Sequence, residues 1–380
     1  MRVTVLGARP AGLYLAYLMG RGRPDLEVKV LEQNMVDATF GFGVVFSDRA
    51  LEFLKEDDEA TYNAIMPHME TWSDTLIEHK GQTVRIDGIA FASIGRLKLL
   101  TILQERARSV GIEPLYQNHI EDVEALRDAD LVVAADGASS IIRRRYASEF
   151  GTTIRNLSNR FAWFGTTKPF DALTQSFVET EQGRFNAHHY RYAKDMSTFL
   201  VEVDEKTFLR NGMDRLDERA SKEFCEKIFA TQLSGHPLVT NRSLWRQFPQ
   251  IWNEHWSHGN IVLVGDALRT AHFSIGSGTR LAMEDATALA SVLLTSDFAI
   301  PAALEAYQAK RQPIVEKLIA AANASAAWYE EFASHMELEP LELAMNYITR
   351  SGRVDLSRLR LLAPKFVSAY EAGGLRNTTV

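Results

Sequence analysis

Residues 1–20, MRVTVLGARPAGLYLAYLMG, decide how the rest of the chain is read. Val3 to Gly7 is a short apolar run of the kind a strand buried on both faces requires. Pro10 suits the first turn of a helix, where its missing N–H would be unpaired in any case. Leu13, Ala16 and Tyr17 then recur at helical spacing. A turn between strand and helix that brings the backbone against a pyrophosphate usually reads G-x-G-x-x-G. Gly7 and Gly12 keep the outer glycines here, with Ala11 beside the second, while Arg9 stands in the middle place. An arginine gives up the closest backbone approach, yet a guanidinium beside two phosphates offsets that with charge-assisted hydrogen bonds. The next strand, EVKVLEQN, ends in Glu32 and Gln33. A carboxylate at that place accepts both hydroxyls of an adenosine ribose. This β-α-β unit therefore predicts a dinucleotide site on Gly7, Arg9, Ala11, Gly12, Glu32 and Gln33.

Two further strand-to-turn junctions follow the same grammar. DLVVAADG (130–137) is an apolar strand stopping at Asp136-Gly137, and NIVLVGDA (260–267) one stopping at Gly265-Asp266. Residues 48–69 read as acidic surface helices, and 71–93 as short strands turning at Lys80-Gly81 and Asp87-Gly88. GRLKLLTILQERARSVG (95–111) is a periodic helix opened by Arg96 and closed by Gly111. Alternation over 153–203 predicts an antiparallel sheet with one covered face, and a helix over 218–233 is attached to it. Gly276 and Gly278 precede a long helix, where backbone N–H groups can meet phosphate oxygens. Residues 301–380 read as mostly helical, interrupted by Pro340 and Ser351-Gly352.

The expected fold is α/β (α+β): a discontinuous Rossmann-like domain over 1–70, 94–152 and 258–330, with a β-sheet substrate domain inserted. That second domain takes 71–93 and 153–257, and 331–380 form a helical C-terminal region. With 380 residues, 46% hydrophobic and 24% charged, the composition is that of a globular protein. A net charge of −7 with scattered bases argues against nucleic acid as the main partner. The single cysteine, Cys225, excludes intrachain disulfides and cysteine-rich zinc sites, and reads as a buried small hydrophobe. No metal-ligand pattern, signal peptide or membrane-spanning run is evident, so a cytoplasmic location is the default expectation.

In order and position these three motifs resemble the single-component FAD-dependent aromatic hydroxylases, the class with the para-hydroxybenzoate hydroxylase fold. The resemblance implies that the first motif holds the FAD pyrophosphate. The second then touches FAD and the reduced nicotinamide, and the third, with Asp266, the ribityl and phosphate region; Arg96 would contact FAD. Longer strings, FGFGVVFSD (40–48), IGRLKLLTILQ (94–104) and AHFSIGSGTRLAMEDA (271–286), are similar to the hydroxylase halves of the salicylyl-CoA 5-hydroxylase and 2-aminobenzoyl-CoA monooxygenase/reductase families. HHYRY and MSTFLVEV also resemble the violacein-pathway indole hydroxylase. The aminobenzoyl-CoA enzymes carry a second, reductase half; this chain stops at Val380, so no coupled ring reduction is expected.

The implied reaction is NAD(P)H- and oxygen-consuming hydroxylation of an electron-rich ring through a flavin hydroperoxide. Such chemistry needs an apolar cavity closed to water, with a few placed polar groups. An ortho-substituted benzoyl-CoA thioester is the expected substrate, giving a 5-hydroxy product from salicylyl-CoA. An indole or carrier-bound aromatic substrate is the alternative, and a flavin-binding protein without oxygenase activity another. His188 and Tyr190 share one face of a strand and are candidates to bind substrate, His188 also as a catalytic group. His272, in the loop AHFSIGSG, is a catalytic or flavin-orienting candidate, and Phe42, Val44 and Val45 form either a cavity wall or core. Arg269 faces either a nicotinamide phosphate or solvent, and Arg143 to Arg145 read as a solvated helix face. The residues leave open whether the chain is a monomer or a homodimer, and whether it takes NADH or NADPH.

Overall fold

The computed structural model describes residues 1–47 and 50–377. Residues 48 and 49, the first two of the segment read as acidic helices, lie outside the described residues, as do 378–380. β1 (Arg2–Leu6) runs between β2 (Glu27–Leu31) and the strand Leu131–Ala134, parallel to both. Ile261–Leu263 continues the sheet in parallel, and Ser257–His258 closes that edge antiparallel. Val3, Val5, Val30, Val133 and Leu263 are all fully buried, as strands covered on both faces must be.

α1 (Pro10–Gly22) explains its own uniform apolarity: every residue from Ala11 to Gly20 is buried. It lies between the sheet and the helices Arg96–Arg108 and Gly278–Thr295. Leu13, Leu15 and Met19 are fully buried there, each contributing about 1.5–3 kcal/mol. Because β1, β2, Leu131–Ala134 and Ile261–Leu263 all point the same way, their turns meet at one carboxyl edge. That crevice is where open α/β sheets bind ligands.

The second sheet has seven strands. Leu238–Val239, Arg160–Thr166, Met196–Val203, Gly183–Ala193 and Leu173–Thr180 are followed by Thr75–His79 and Gln82–Ile86. It is mixed rather than purely antiparallel, because Thr75–His79 enters from the distant earlier segment and pairs parallel with Leu173–Thr180. β3 (Gly43–Ser47) instead pairs with Phe91–Gly95, which pairs with Glu70–Trp72, so part of the 71–93 stretch builds a separate three-stranded sheet. One face of the large sheet packs Phe164, Phe185, Ala187, Phe199 and Val201 on Cys225 and Phe229. The opposite face is covered as well, since His188, Tyr190, Leu200 and Glu202 are buried too, so the single covered face expected from the alternation is corrected to two.

Pro340 begins a helix, Pro340–Thr349, instead of interrupting one, because its ring suits the first turn. From the long helix Ile300–Glu330 onward, Trp328, Tyr329, Phe332, Leu343 and Tyr347 pack on Ile77, Ile86 and Phe177. The tail is therefore a wall of the substrate-side sheet. Among the described residues no helix is long and apolar enough to cross a membrane.

Candidate active site

The carboxyl edge opens into a cleft of about 400 Å³ lined by Gly7, Arg9, Glu32, Gln33, Arg96, Asp136, Gly137 and Asp266, among others. Eight of the thirteen residues assigned to the cofactor from sequence therefore share one cavity. Gly7 has φ +109, and a side chain there would meet the Ala135 carbonyl at 2.3 Å. At Gly12 a Cβ would come within 2.0 Å of the Gly7 carbonyl. Both glycines thus let turn and helix close on the sheet. Ala11 stands in the first turn of α1 and packs near Gly265, which has φ +60.

No side chain caps α1, so its first N–H groups remain donors for an anion at the positive end of the helix. Arg9 lies over Phe40 at 5.4 Å and Arg96 over Trp163 at 5.7 Å. Neither has a hydrogen-bonded or ionic protein partner among the described residues. Burial, and then the nearby charge of Arg9, push the Arg96 guanidinium down to about 10, still cationic at neutral pH.

Glu32 is buried at the end of β2. It accepts from the Ala8 N–H at 3.0 Å and the Asn34 N–H at 3.0 Å, which fix its carboxylate. Gln33 Oε1 lies 3.1 Å from His119 Nδ1. Asp136 Oδ2 accepts from the Ile141 N–H at 2.8 Å, while its Oδ1 is buried without a partner. Burial raises the Asp136 carboxyl. Desolvation also raises Asp266, against the lowering pull of Arg269, Arg96 and Arg9. Unpaired guanidiniums, open helix N–H groups, a fixed carboxylate and an orphaned carboxylate oxygen fit the phosphates and hydroxyls of a dinucleotide.

A smaller inner cavity of about 50 Å³ lies where the large sheet, β3, the loop before Gly278 and the helical tail meet. Val45, Gln175, His188, Phe273, Gly276 and Arg350 are among its lining residues. Gln175 sits directly opposite His188 in the sheet register. His188 Nδ1 is buried with no partner. Burial, and then the charge of Arg350, push its imidazole down to about 3, so it is a neutral hydrogen-bonding group. A cavity accepting benzene measures about 150 Å³, so a substrate ring enters only as side chains or the loop give way.

Several assignments from sequence shift. Val44 turns into the main core while Val45 reaches the cavity, as strand alternation requires. Phe42 packs over Gly165 and lines neither the cleft nor the inner cavity. Tyr190 shares the His188 face, their rings 6.1 Å apart, but its hydroxyl donates to the Gly43 carbonyl at 3.0 Å and it lines neither cavity. His272 is buried behind the loop, its Nδ1 2.8 Å from Ser274 Oγ and its ring against Phe248, Phe273 and Tyr329. Burial, and then His188, push it down to about 3. Gly276, with φ +60, borders the inner cavity rather than the cleft, and Gly278 opens the helix with free space beside it.

Arg144 and Arg145 are exposed as read, but long-range packing overturns the readings of Arg143 and Arg269. Arg143 is 1% exposed and donates to the Ala267 carbonyl at 2.9 Å, bracing the third turn instead of facing water. Arg269, 2% exposed, is turned away from solvent and lines neither cavity: it pairs with buried Asp285 at 2.7 Å. Asp285 also pairs with Arg311 at 3.1 Å and accepts from the Gly265 N–H at 3.2 Å. Gln175, Tyr347 and Arg350 were not anticipated, since nothing local marks a strand glutamine or a tail arginine as cavity-facing. Among the described residues no group of His, Cys, Asp or Glu is placed to hold a metal.

The family described as the FAD binding domain matches residues 1–322. The chain is 41% identical to salicyloyl-CoA 5-hydroxylase from a Streptomyces species, over 99% of this chain and 74% of that protein. It is 36% identical to 3-hydroxy-4-methyl-anthranilyl-[aryl-carrier protein] 5-monooxygenase of Streptosporangium sibiricum, over 93% of this chain and 95% of that one. To protodeoxyviolaceinate monooxygenase of Chromobacterium violaceum it is 31% identical, over 92% and 94% of the two chains. Its fold is shared with Pseudomonas aeruginosa PqsL, solved with 2-aminobenzoylacetate, at a TM-score of 0.68 and 20% identity, covering 89% of this chain and 100% of that one. With an FAD-binding domain over most of its length and monooxygenase relatives along nearly all of it, the chain belongs to the FAD-binding-domain family and is an FAD-dependent aromatic monooxygenase.

Proposed function

We propose that the enzyme uses NAD(P)H and oxygen to hydroxylate an ortho-substituted benzoyl thioester of the salicylyl-CoA kind, on the ring carbon para to the ortho oxygen. The observation that carries this reading is the 41% identity to salicyloyl-CoA 5-hydroxylase over 99% of the chain. The eight cleft-lining residues named from sequence would hold FAD, with Ala11, Gly12 and Gly265 shaping the turns beside them. FAD, when bound, supplies oxygen activation with electrons from the nicotinamide. The protein's own part is to position the ring and keep water out.

Val45, Phe91, Leu173 and Phe273 give the inner cavity its apolar lining. His188 and Gln175 offer neutral hydrogen bonds to a ring substituent or thioester carbonyl. Of the two candidate catalytic histidines, His188 would touch substrate, and His272 would act by orienting its loop. Incubating the FAD-loaded protein with NADH or NADPH, oxygen and salicylyl-CoA should give substrate-stimulated oxidation and a hydroxylated thioester. Absence of both removes this substrate.

A carrier-bound aromatic is the second reading, favoured by the 36% relative that acts on an aryl-carrier protein. Faster flavin reduction with the carrier-bound acid than with the CoA thioester would decide for it.

A further inference from the structure

Arg350 brings a charge without a counter-ion to the inner cavity. It closes the tail helix Pro340–Thr349. Its Nε donates to Ser325 Oγ at 2.9 Å, Nη1 to the Tyr347 carbonyl at 2.7 Å and Nη2 to the Ser274 carbonyl at 2.8 Å. All three acceptors are neutral, and no carboxylate pairs with Arg350 among the described residues. A guanidinium has five N–H donors, so one remains on each terminal nitrogen. The group is fixed face-on against the Tyr347 ring at 3.8 Å, with Tyr329 at 5.7 Å. Ser325 Oγ and Ser274 Oγ lie 2.7 Å apart, and Ser274 Oγ reaches His272, so Arg350 is anchored through a side-chain chain to the loop.

The rest of the cavity supplies little to balance this cation. Val45, Ile89, Phe91, Leu173, Phe273 and Ile348 are apolar. Gln175 Oε1 already accepts from the Tyr329 hydroxyl at 3.1 Å. The titratable groups around Arg350 are His188 and His272, held neutral by burial, and the phenols of Tyr329 and Tyr347. A partly buried cation with spare donors and neutral surroundings favours an anionic ligand atom.

We propose that Arg350 binds an anionic oxygen on the substrate's aromatic ring, so that a phenolic substrate is held as its phenolate. The assignment rests on reading the inner cavity as the ring site. On binding, the phenol O–H bond breaks, its electron pair stays on oxygen beside Arg350, and the proton leaves to bulk water. The phenolate feeds electron density to the carbon para to it, the position that is hydroxylated. Arg350 thereby selects hydroxylated rings over otherwise identical ones.

The test titrates FAD-loaded wild type, Arg350→Gln, Arg350→Lys and Ser325→Ala with two matched pairs, following flavin absorption and the phenolate band. The pairs are salicylyl-CoA with benzoyl-CoA, and 2-hydroxybenzamide with benzamide. Wild type should prefer the hydroxylated member roughly ten- to a hundredfold, the range of a charge-assisted hydrogen bond. Its phenolate band should appear below the pH at which the free ligand ionises. Arg350→Gln should lose both signals, Arg350→Lys keep part of them, and Ser325→Ala, which removes an anchor but not the charge, keep both. Equal weakening of both members in Arg350→Gln, no preference or no binding in wild type, or the same loss in Ser325→Ala overturns the assignment. If the thioesters fail while the amide pair still discriminates, the thioester substrate falls and Arg350 stands.

Discussion

Arg9 is the residue at which the nucleotide turn departs from its usual glycine, and its surroundings explain the exchange. It occupies the N-cap of α1 with extended backbone, φ −105 and ψ 179, so no left-handed conformation is demanded there. Its side chain stacks on Phe40 at the cleft. Arg9→Gly should therefore keep FAD with an affinity changed by less than about tenfold, since the helix terminus and Arg96 remain; an equilibrium dialysis showing complete loss of flavin would make the guanidinium essential. His188 and His272 predict a pH effect of definite sign. Both sit near 3 in the folded protein, against about 6.5 unfolded. Below that unfolded value only the unfolded chain takes up the proton, so stability is lost as pH falls from about 6.5 toward 3, by up to about 1.4 kcal/mol per pH unit for each histidine. His188→Asn should flatten the fall in urea midpoint between pH 7 and 5; an unchanged slope would show that His188 does not contribute.

Elements carry charge in ways their local sequence conceals. On the strand Met196–Val203, Glu202 is buried with Asn159 donating to its Oε1 at 3.0 Å and nothing on Oε2. Burial pushes its carboxyl up to about 8. The folded form thus holds a proton that the unfolded chain releases near 4.5, and the associated stability is lost as pH rises from there through 8. Glu202→Gln should raise the melting temperature at pH 8 and leave it little changed near pH 4.5; the opposite ordering would contradict a protonated Glu202. On the helix Gly278–Thr295, Asp285 joins Arg269, Arg311 and the Gly265 N–H. Asp285→Ala leaves buried Arg269 without a carboxylate, while Arg311 keeps Glu284, and should cost about 3–5 kcal/mol, read as a lower unfolding midpoint together with weaker FAD retention as the third turn loosens. The strand–turn junctions were legible in sequence because a buried parallel strand, a glycine and an acid are all local signals. Arg269 and Arg143 were not, because their partners lie 16 and 124 residues away along the chain. An arginine beside a turn looks alike whether it meets water or a buried carboxylate.

At the scale of the molecule, the cleft and the inner cavity are built from different parts of the chain. All the cleft's lining residues lie between Leu6 and Asp266, whereas Phe273, Tyr347, Ile348 and Arg350 close the inner cavity. The first was readable because one β-α-β unit and two repeats of its grammar outline it. The second was readable only in part, at His188 and Val45, because docking of the tail onto the sheet decides which tail residues face inward. This division predicts separable defects. Glu32→Ala should lower the flavin-to-protein absorbance ratio of the purified enzyme, because the carboxylate at the end of β2 is lost. Tyr347→Ala should leave that ratio intact, since Tyr347 lies outside the cleft. It removes the ring on which Arg350 rests and widens the inner cavity to water. With the inner cavity no longer closed to solvent, the proposed reductant, NAD(P)H, should still be consumed while the share ending as hydrogen peroxide rises several-fold over wild type. Peroxide measured per NAD(P)H consumed checks this. Loss of flavin from Tyr347→Ala, or coupling equal to wild type, would show that the tail does not seal the reaction from solvent.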